Sequence, residues 1–335
     1  MKNNEERLAE LLEGLKKKNP YKLPCRVFAK TKDMNQEEWL QLRKQGITGT
    51  DLGGLTGVSK YTNPIKIYLD KTGVIPPTED NEKMYWGRVM EDVIKKEFAL
   101  RHKELKVLKP NAILQHYETD WALANVDGII NKDGEKGILE IKTVSEYLKY
   151  LWDSEEVPPQ YMVQIQWYMY VTGATFGYFA ALLGGNEYIE KYVERDQELI
   201  DMLVSIAKDF WENNYLKKNP PAVDGSEAST NLLSSLYPVA VEKAEIDLTD
   251  EALTFIEKRE DLKAQEKALK EEITECENQL KSLLQDNEIG MVQGRKVIWK
   301  NQSRTSIDSK KLKLEKPDIF EAYCKTSSFR KFDIK

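Results

Sequence analysis

The stretch LANVDGIINKDGEKGILEIKTV, residues 123–144, restricts the fold more than any other part of the chain. Two apolar runs, Ile129 and Ile130, then Ile138, Leu139, Ile141 and Val144, flank the Gly- and Asp-bearing segment NKDGEKG, which predicts two short strands joined by a turn. Side chains alternate along a strand, so Glu140 and Lys142 share one face while Leu139 and Ile141 share the other. Antiparallel pairing about that turn brings Asp127 level with Glu140. Two carboxylates so close repel unless a cation joins them. Oxygen ligands with no imidazole or thiolate beside them suit Mg²⁺ or Mn²⁺, and the neighbouring lysine can orient or deprotonate a water for attack on phosphorus. The same residues also fit an exposed hairpin with a surface salt bridge, and the stretch alone leaves both readings open.

The rest of the chain supplies the core that such a hairpin needs. Apolar residues make up 41% of the 335 and aromatics 10%, enough for one large domain or two. No apolar run reaches membrane-spanning length, and MKNNEERLAELLEGLKKKNP reads as a charged amphipathic helix, so a cytoplasmic protein is expected. Cys25, Cys276 and Cys324 are odd in number and far apart, which favours reduced thiols over disulfides or a zinc site. A net charge of −6 argues against coating nucleic acid through bulk charge; a nucleic-acid enzyme of this composition needs a local basic groove.

Periodicity divides the chain into three parts: a helical extension over 1–30, a core over 31–230 and an accessory domain over 245–335. Within the core, helical patterns flank the Gly/Thr-rich loop GITGTDLGGLTG, and NEKMYWGRVMEDVIKKEFALRHK predicts a helix with Met90, Val93, Ile94 and Phe98 inward. After the hairpin, PPQYMVQIQWYMYVTG reads as a strongly apolar helix opened by proline and closed by Gly173, followed by a strand hairpin turning at GGN and a closing helix. The fold class is thus α/β, a mixed sheet flanked by helices. Proline-rich and polar residues at 217–230 predict a domain boundary. Beyond it, Leu262, Leu269, Cys276 and Leu283 recur every seven residues, with Ile273 and Leu280 between them, on one long helix capped by Thr249. That stripe fits either a coiled coil or a helix lying on its own domain. The basic tail alternates like a small sheet and offers a nucleic-acid or partner surface.

Two further residues join the hairpin: Glu91 in WGRVMEDVIKKEF and Gln164, a polar insertion in the apolar helix. The order Glu91, Asp127, Glu140-Ile141-Lys142, then Gln164 resembles the PD-(D/E)xK nuclease superfamily and, more narrowly, the YqaJ-type viral recombinases, the family of the lambda exonuclease. The resemblance covers roughly residues 35–215 and implies a restriction-endonuclease-like core. It implies Asp127, Glu140 and the Ile141 carbonyl as ligands of Mg²⁺, with Mn²⁺ able to substitute. Lys142 would act on the nucleophilic water, Glu91 on a water of the ion or on a second ion, and Gln164 on the orientation of either. An upstream arginine with a hydroxyl residue seven positions on holds the 5′ phosphate in that family, which points to Arg43 and Thr50. Val126 stands where the family often has proline, Thr50 where the exonuclease has serine, and Asn125 where a small hydroxyl is common.

The activity implied by the resemblance is that of a Mg²⁺-dependent exonuclease, resecting double-stranded DNA ends 5′ to 3′ for phage-type recombination. Membership of such a family further implies a ring-shaped trimer, a single-strand-annealing protein as partner, and a phage or prophage origin in a bacterial cytoplasm. A structure- or site-specific endonuclease on the same core, and a non-catalytic DNA-binding or assembly protein, are the alternatives. His102 and His116 read as surface or packing residues, and Trp39, Trp86, Trp121, Trp152 and Trp167 as mostly core anchors.

Overall fold

The computed structural model describes residues 20–325 and 329–334. The chain forms two units that part between Leu236 and Tyr237. Along the first run β1 (Cys25–Lys30), α1 (Gln36–Arg43), α2 (Gly49–Leu55), α3 (Pro64–Lys71), α4 (Glu82–Arg101), β2 (Lys106–Leu108), β3 (Ala112–His116), β4 (Leu123–Ala124), β5 (Gly128–Lys132), β6 (Glu135–Val144), α5 (Pro159–Thr172), β7 (Phe176–Leu183), β8 (Glu187–Glu194), α6 (Gln197–Asp209) and α7 (Glu227–Leu236). Most of the expected N-terminal helix lies outside the described residues. The last part of the expected 1–30 extension is strand β1, whose inward residues Cys25 and Val27 are buried against the core.

The hairpin forms, and it sits in the middle of a sheet. Five strands run in the order β2-β5-β6-β7-β8, with β5–β6 and β7–β8 antiparallel and β6–β7 parallel. The parallel step requires a crossover, which α5 supplies. A second sheet, β1-β3-β4, lies in the same unit. Because β6 is central, both its faces are covered: Ile138 joins the cluster containing Ile165 and Trp167 of α5, while Leu139 and Ile141 join Ile94 and Phe98 of α4. Glu140 is consequently only 3% exposed, which removes the reading of this hairpin as a solvated surface feature.

Helix α5 obeys its sequence signals. Pro159 occupies the first turn, where its missing N–H has no partner to lose, and Gly173 ends the helix at φ 70°, a left-handed conformation that a side chain opposes. Elsewhere the structure differs from expectation. Within GITGTDLGGLTG, Gly49–Leu55 is helical, because Thr48 and Asp51 make a reciprocal capping box that starts the turn. On α4 only Ile94 and Phe98 are buried and Met90 packs beside them; Val93 is 53% exposed, since the helix buries one narrow stripe that position 93 misses. Trp152 and Trp167 are core anchors as expected, whereas Trp86 is 54% exposed. The expected boundary segment 217–230 instead docks into the first unit. Asn63 Nδ2 donates to Asp224 Oδ1 at 3.0 Å and to Ser229 Oγ at 2.6 Å, so the polar run that resembles a linker is the seat of α7.

The second unit contains α8 (Asp250–Leu284), a hairpin of β9 (Ile289–Val292) and β10 (Arg295–Ile298), α9 (Ser309–Glu315) and α10 (Pro317–Tyr323). The tail is less β-rich than its alternation predicts. Asp308 caps α9 by accepting from Lys311 N, and Pro317 opens α10, so local capping prevails over the apolar alternation. On α8, Leu262, Leu269, Ile273, Leu280 and Leu283 are all between 43% and 80% exposed.

Candidate active site

Strand β5 starts one residue too late to pair with the polar part of β6. Gly128 lies opposite Leu139, so Asp127 stands opposite Glu140, where the backbone ladder has stopped. The Asp127 side chain takes over the ladder's role: its Oδ2 accepts the Ile141 N–H at 2.8 Å. The Ile141 carbonyl faces the same side of the strand as that N–H, towards Asp127.

Glu140 and Lys142 project together from the face of β6 opposite Leu139 and Ile141, under α5. Glu140 Oε1 accepts from Lys142 Nζ at 2.7 Å and from Gln164 Nε2 at 2.7 Å, and Gln164 Oε1 accepts from Lys142 Nζ at 3.2 Å. Gln164 Nε2 also donates to the buried Tyr168 hydroxyl at 3.0 Å, and the Lys142 ammonium lies 5.1 Å from the Tyr161 ring centre. Glu140 Oε2 is buried with no hydrogen-bond partner among the described residues. Such an orphan is costly unless something outside the chain meets it.

The electrostatics follow from that crowding. Burial raises the Asp127 carboxyl well above its ordinary range, and the Glu140 charge adds to the effect while Lys142 opposes it. Burial likewise lifts Glu140, against Lys142 and the Gln164 hydrogen bond. For Lys142, burial favours the neutral amine, but Glu140 and Asp127 outweigh it and shift the group upward. Lys142 therefore stands as a proton-bearing donor here.

Arg43 and Thr50 open into the same cleft, of about 1430 Å³, as Asp127, Glu140, Lys142 and Gln164. Arg43 Nη2 donates to Thr50 Oγ1 at 2.7 Å and to Thr48 Oγ1 at 3.1 Å, and its guanidinium lies over the Trp39 ring at 4.3 Å. Glu91 lines the cleft too; its carboxylate is engaged by Lys95 at 3.3 Å and Lys109 at 2.9 Å, and its charge adds to the upward shift of both Asp127 and Glu140. His102 meets Glu104 and Glu190, and His116 stacks on Tyr170, both away from the cleft. Thr48, Asp51, Lys71 and Tyr168 escaped the sequence reading. The spacing of Thr48 and Asp51 matches a capping box and was legible in principle; Lys71 and Tyr168 are brought in only by tertiary packing.

A central strand carrying Glu-x-Lys, an acid on its neighbour and a glutamine on the crossover helix define a restriction-endonuclease-like core. The YqaJ-like viral recombinase domain matches residues 38–175. An uncharacterised relative, YqaJ of Bacillus subtilis (strain 168), is 40% identical over 312 residues, spanning 92% of this chain and 97% of its own. The chain belongs to the YqaJ-like viral recombinase family. Among solved structures, the alkaline exonuclease LHK-Exo of Laribacter hongkongensis in complex with dAMP is similar at TM-score 0.47 and 18% identity, over 61% of this chain and 100% of that one. A phage-related exonuclease from Haemophilus somnus 129PT is similar at TM-score 0.37 and 13% identity, over 52% and 96% respectively.

Proposed function

We propose that this chain is a Mg²⁺-dependent deoxyribonuclease that degrades linear duplex DNA from 5′-phosphorylated ends, 5′ to 3′, leaving 3′ single strands for phage-type recombination. The observation that carries this reading is the buried, unpartnered Glu140 Oε2 beside Asp127, in the cleft that also holds Arg43. Among the described residues no three Asp, Glu, His or Cys side chains form a ready cluster for a metal. In this reading the donors that would hold a divalent cation are those the family resemblance implies, Asp127, Glu140 and the Ile141 carbonyl, all hard oxygens. Such an ion, when bound, neutralises the acidic pair and stabilises charge developing on a phosphate. Mn²⁺ has the same ligand preferences and substitutes.

The chain's own groups do the rest. Lys142, held by Glu140 and Gln164, orients the attacking water and offers a proton-bearing ammonium to the phosphate. Gln164 keeps that lysine over the acidic pair, and Arg43 with Thr50 receives the terminal phosphate. Glu91, in the lining of the same cleft, binds a water of the ion or a second ion. The family's ring-shaped trimer, its single-strand-annealing partner and a setting in the cytoplasm of a phage-bearing bacterium belong to the same reading. No helix among the described residues is long and apolar enough to cross a membrane.

Digestion of linear and closed circular plasmid with Mg²⁺, by wild type and Lys142→Ala, tests the proposal. Loss of linear DNA alone, abolished in the variant and faster with 5′ phosphate than 5′ hydroxyl ends, is expected. Cutting of circles would establish an endonuclease instead, and cleavage of neither would leave a DNA-binding protein.

A further inference from the structure

Glu140 Oε2 shares its condition with one other atom. Asn125 Oδ1 is also buried without a hydrogen-bond partner, and no further side-chain nitrogen or oxygen among the described residues is in that state. Both residues line the same cleft, together with Asp127 and Lys142. The chain brings Asn125 there as it crosses from one sheet to the other. Leu123 and Ala124 pair with β3, and Gly128 opens the pairing of β5 with β6. Between them Val126 is buried in the core, so the residues on either side of it, Asn125 and Asp127, turn to the cleft together.

An unmet acceptor calls for a donor, and the donors of this site are engaged elsewhere. The Ile141 N–H goes to Asp127, Gln164 Nε2 to Glu140 and the Tyr168 hydroxyl, Lys142 Nζ to Glu140 and Gln164, and Lys95 Nζ to Glu91 and the Asp127 carbonyl. A DNA phosphate is anionic and brings acceptors only, so it does not answer an amide oxygen. A water on a divalent cation turns its oxygen to the ion and its hydrogens outward, and Mg²⁺ held by one or two carboxylates keeps several such waters. Asparagine suits the place for a second reason: a neutral acceptor adds a hydrogen bond without a third charge beside two carboxylates that already repel.

We propose, resting on the divalent-cation reading above, that Asn125 is a positioning residue for the ion. Its amide oxygen accepts from a water of the ion held at Asp127 and Glu140, and so steadies the ion without touching it.

Mn²⁺ binding to the DNA-free protein, followed by electron paramagnetic resonance of the free ion, tests this in wild type, Asn125→Ala, Asn125→Leu and Asn125→Asp. Leucine is close to asparagine in volume and removes the acceptor without emptying its space, should alanine disturb folding. Aspartate presents oxygen at both ends of the amide, so it keeps an acceptor role whichever way the amide is turned and destroys a donor role. Alanine and leucine are each expected to weaken Mn²⁺ binding by about tenfold, as the loss of an outer-shell partner does, while aspartate binds at least as tightly as wild type. A folded leucine variant with the wild-type affinity would overturn the proposal. An aspartate variant weakened as much as alanine would overturn it too, showing that the amide donates or only packs. Wild type that binds no Mn²⁺ would overturn the divalent-cation reading itself.

Discussion

Asp127 is, at the scale of one residue, a buried carboxyl set close to a second one, Glu140. Its carboxyl is raised by burial and by Glu140, so the folded chain holds that proton more tightly than the unfolded one. Ion-free protein therefore loses stability as pH rises from the unfolded aspartate value of about 4 through the raised folded value, and the loss is complete above it. Asp127→Asn removes the charge while its amide oxygen still accepts the Ile141 N–H. In EDTA at about pH 7.5 this variant is expected to melt above wild type by on the order of 2–4 °C, and the difference should vanish below about pH 4. Added Mg²⁺ should raise the melting temperature of wild type only. An asparagine variant that melts lower at both pH values would show the carboxylate to be structurally stabilising instead.

The contact of α2 with α5 ties the two ends of the cleft together at the scale of elements. A Cβ on Gly49 would meet Tyr168 Cε1 at 2.6 Å and Gln164 Cγ at 3.0 Å. The residue between Thr48 and Thr50 thus lies directly on the helix that carries Gln164. Gly49→Ala forces these elements apart, with an expected destabilisation of about 1–3 kcal/mol by thermal or urea unfolding. The same variant should lower both the 5′-phosphate preference and the turnover, because the arginine end and the Gln164 end shift together. A stable variant with an unaltered end preference would show that α2 tolerates the displacement. Hairpin, crossover helix and their order were legible in the sequence, since alternation and proline/glycine punctuation are local signals. The helical nature of Gly49–Leu55 was hidden by its glycines; Gly49 packs on Tyr168 of α5 and Gly54 on Thr62 and on Ile67 of α3, where a side chain has no room.

At the scale of the whole molecule, the boundary after Leu236 divides a chain whose candidate chemistry lies entirely in the first unit. Removing residues 237–335 is expected to leave a cooperatively melting core that still degrades linear DNA in a Lys142-dependent way. Processivity or coupling to a partner is what the deletion should reduce; a folded core with no cleavage would assign the second unit a part in catalysis. The sequence by itself determined the nuclease-like order of Glu91, Asp127, Glu140, Lys142 and Gln164, and the strand pairing that sets Asp127 against Glu140, because register follows from alternation about a single turn. Only the tertiary structure decided that β6 is central and Glu140 buried, that Glu91 is turned to Lys95 and Lys109, and that 217–230 is a docked segment. It alone joined Lys71 to Asp51 behind Arg43. Those outcomes depend on which surfaces distant parts of the chain bury against one another, and local residue patterns carry no record of that choice.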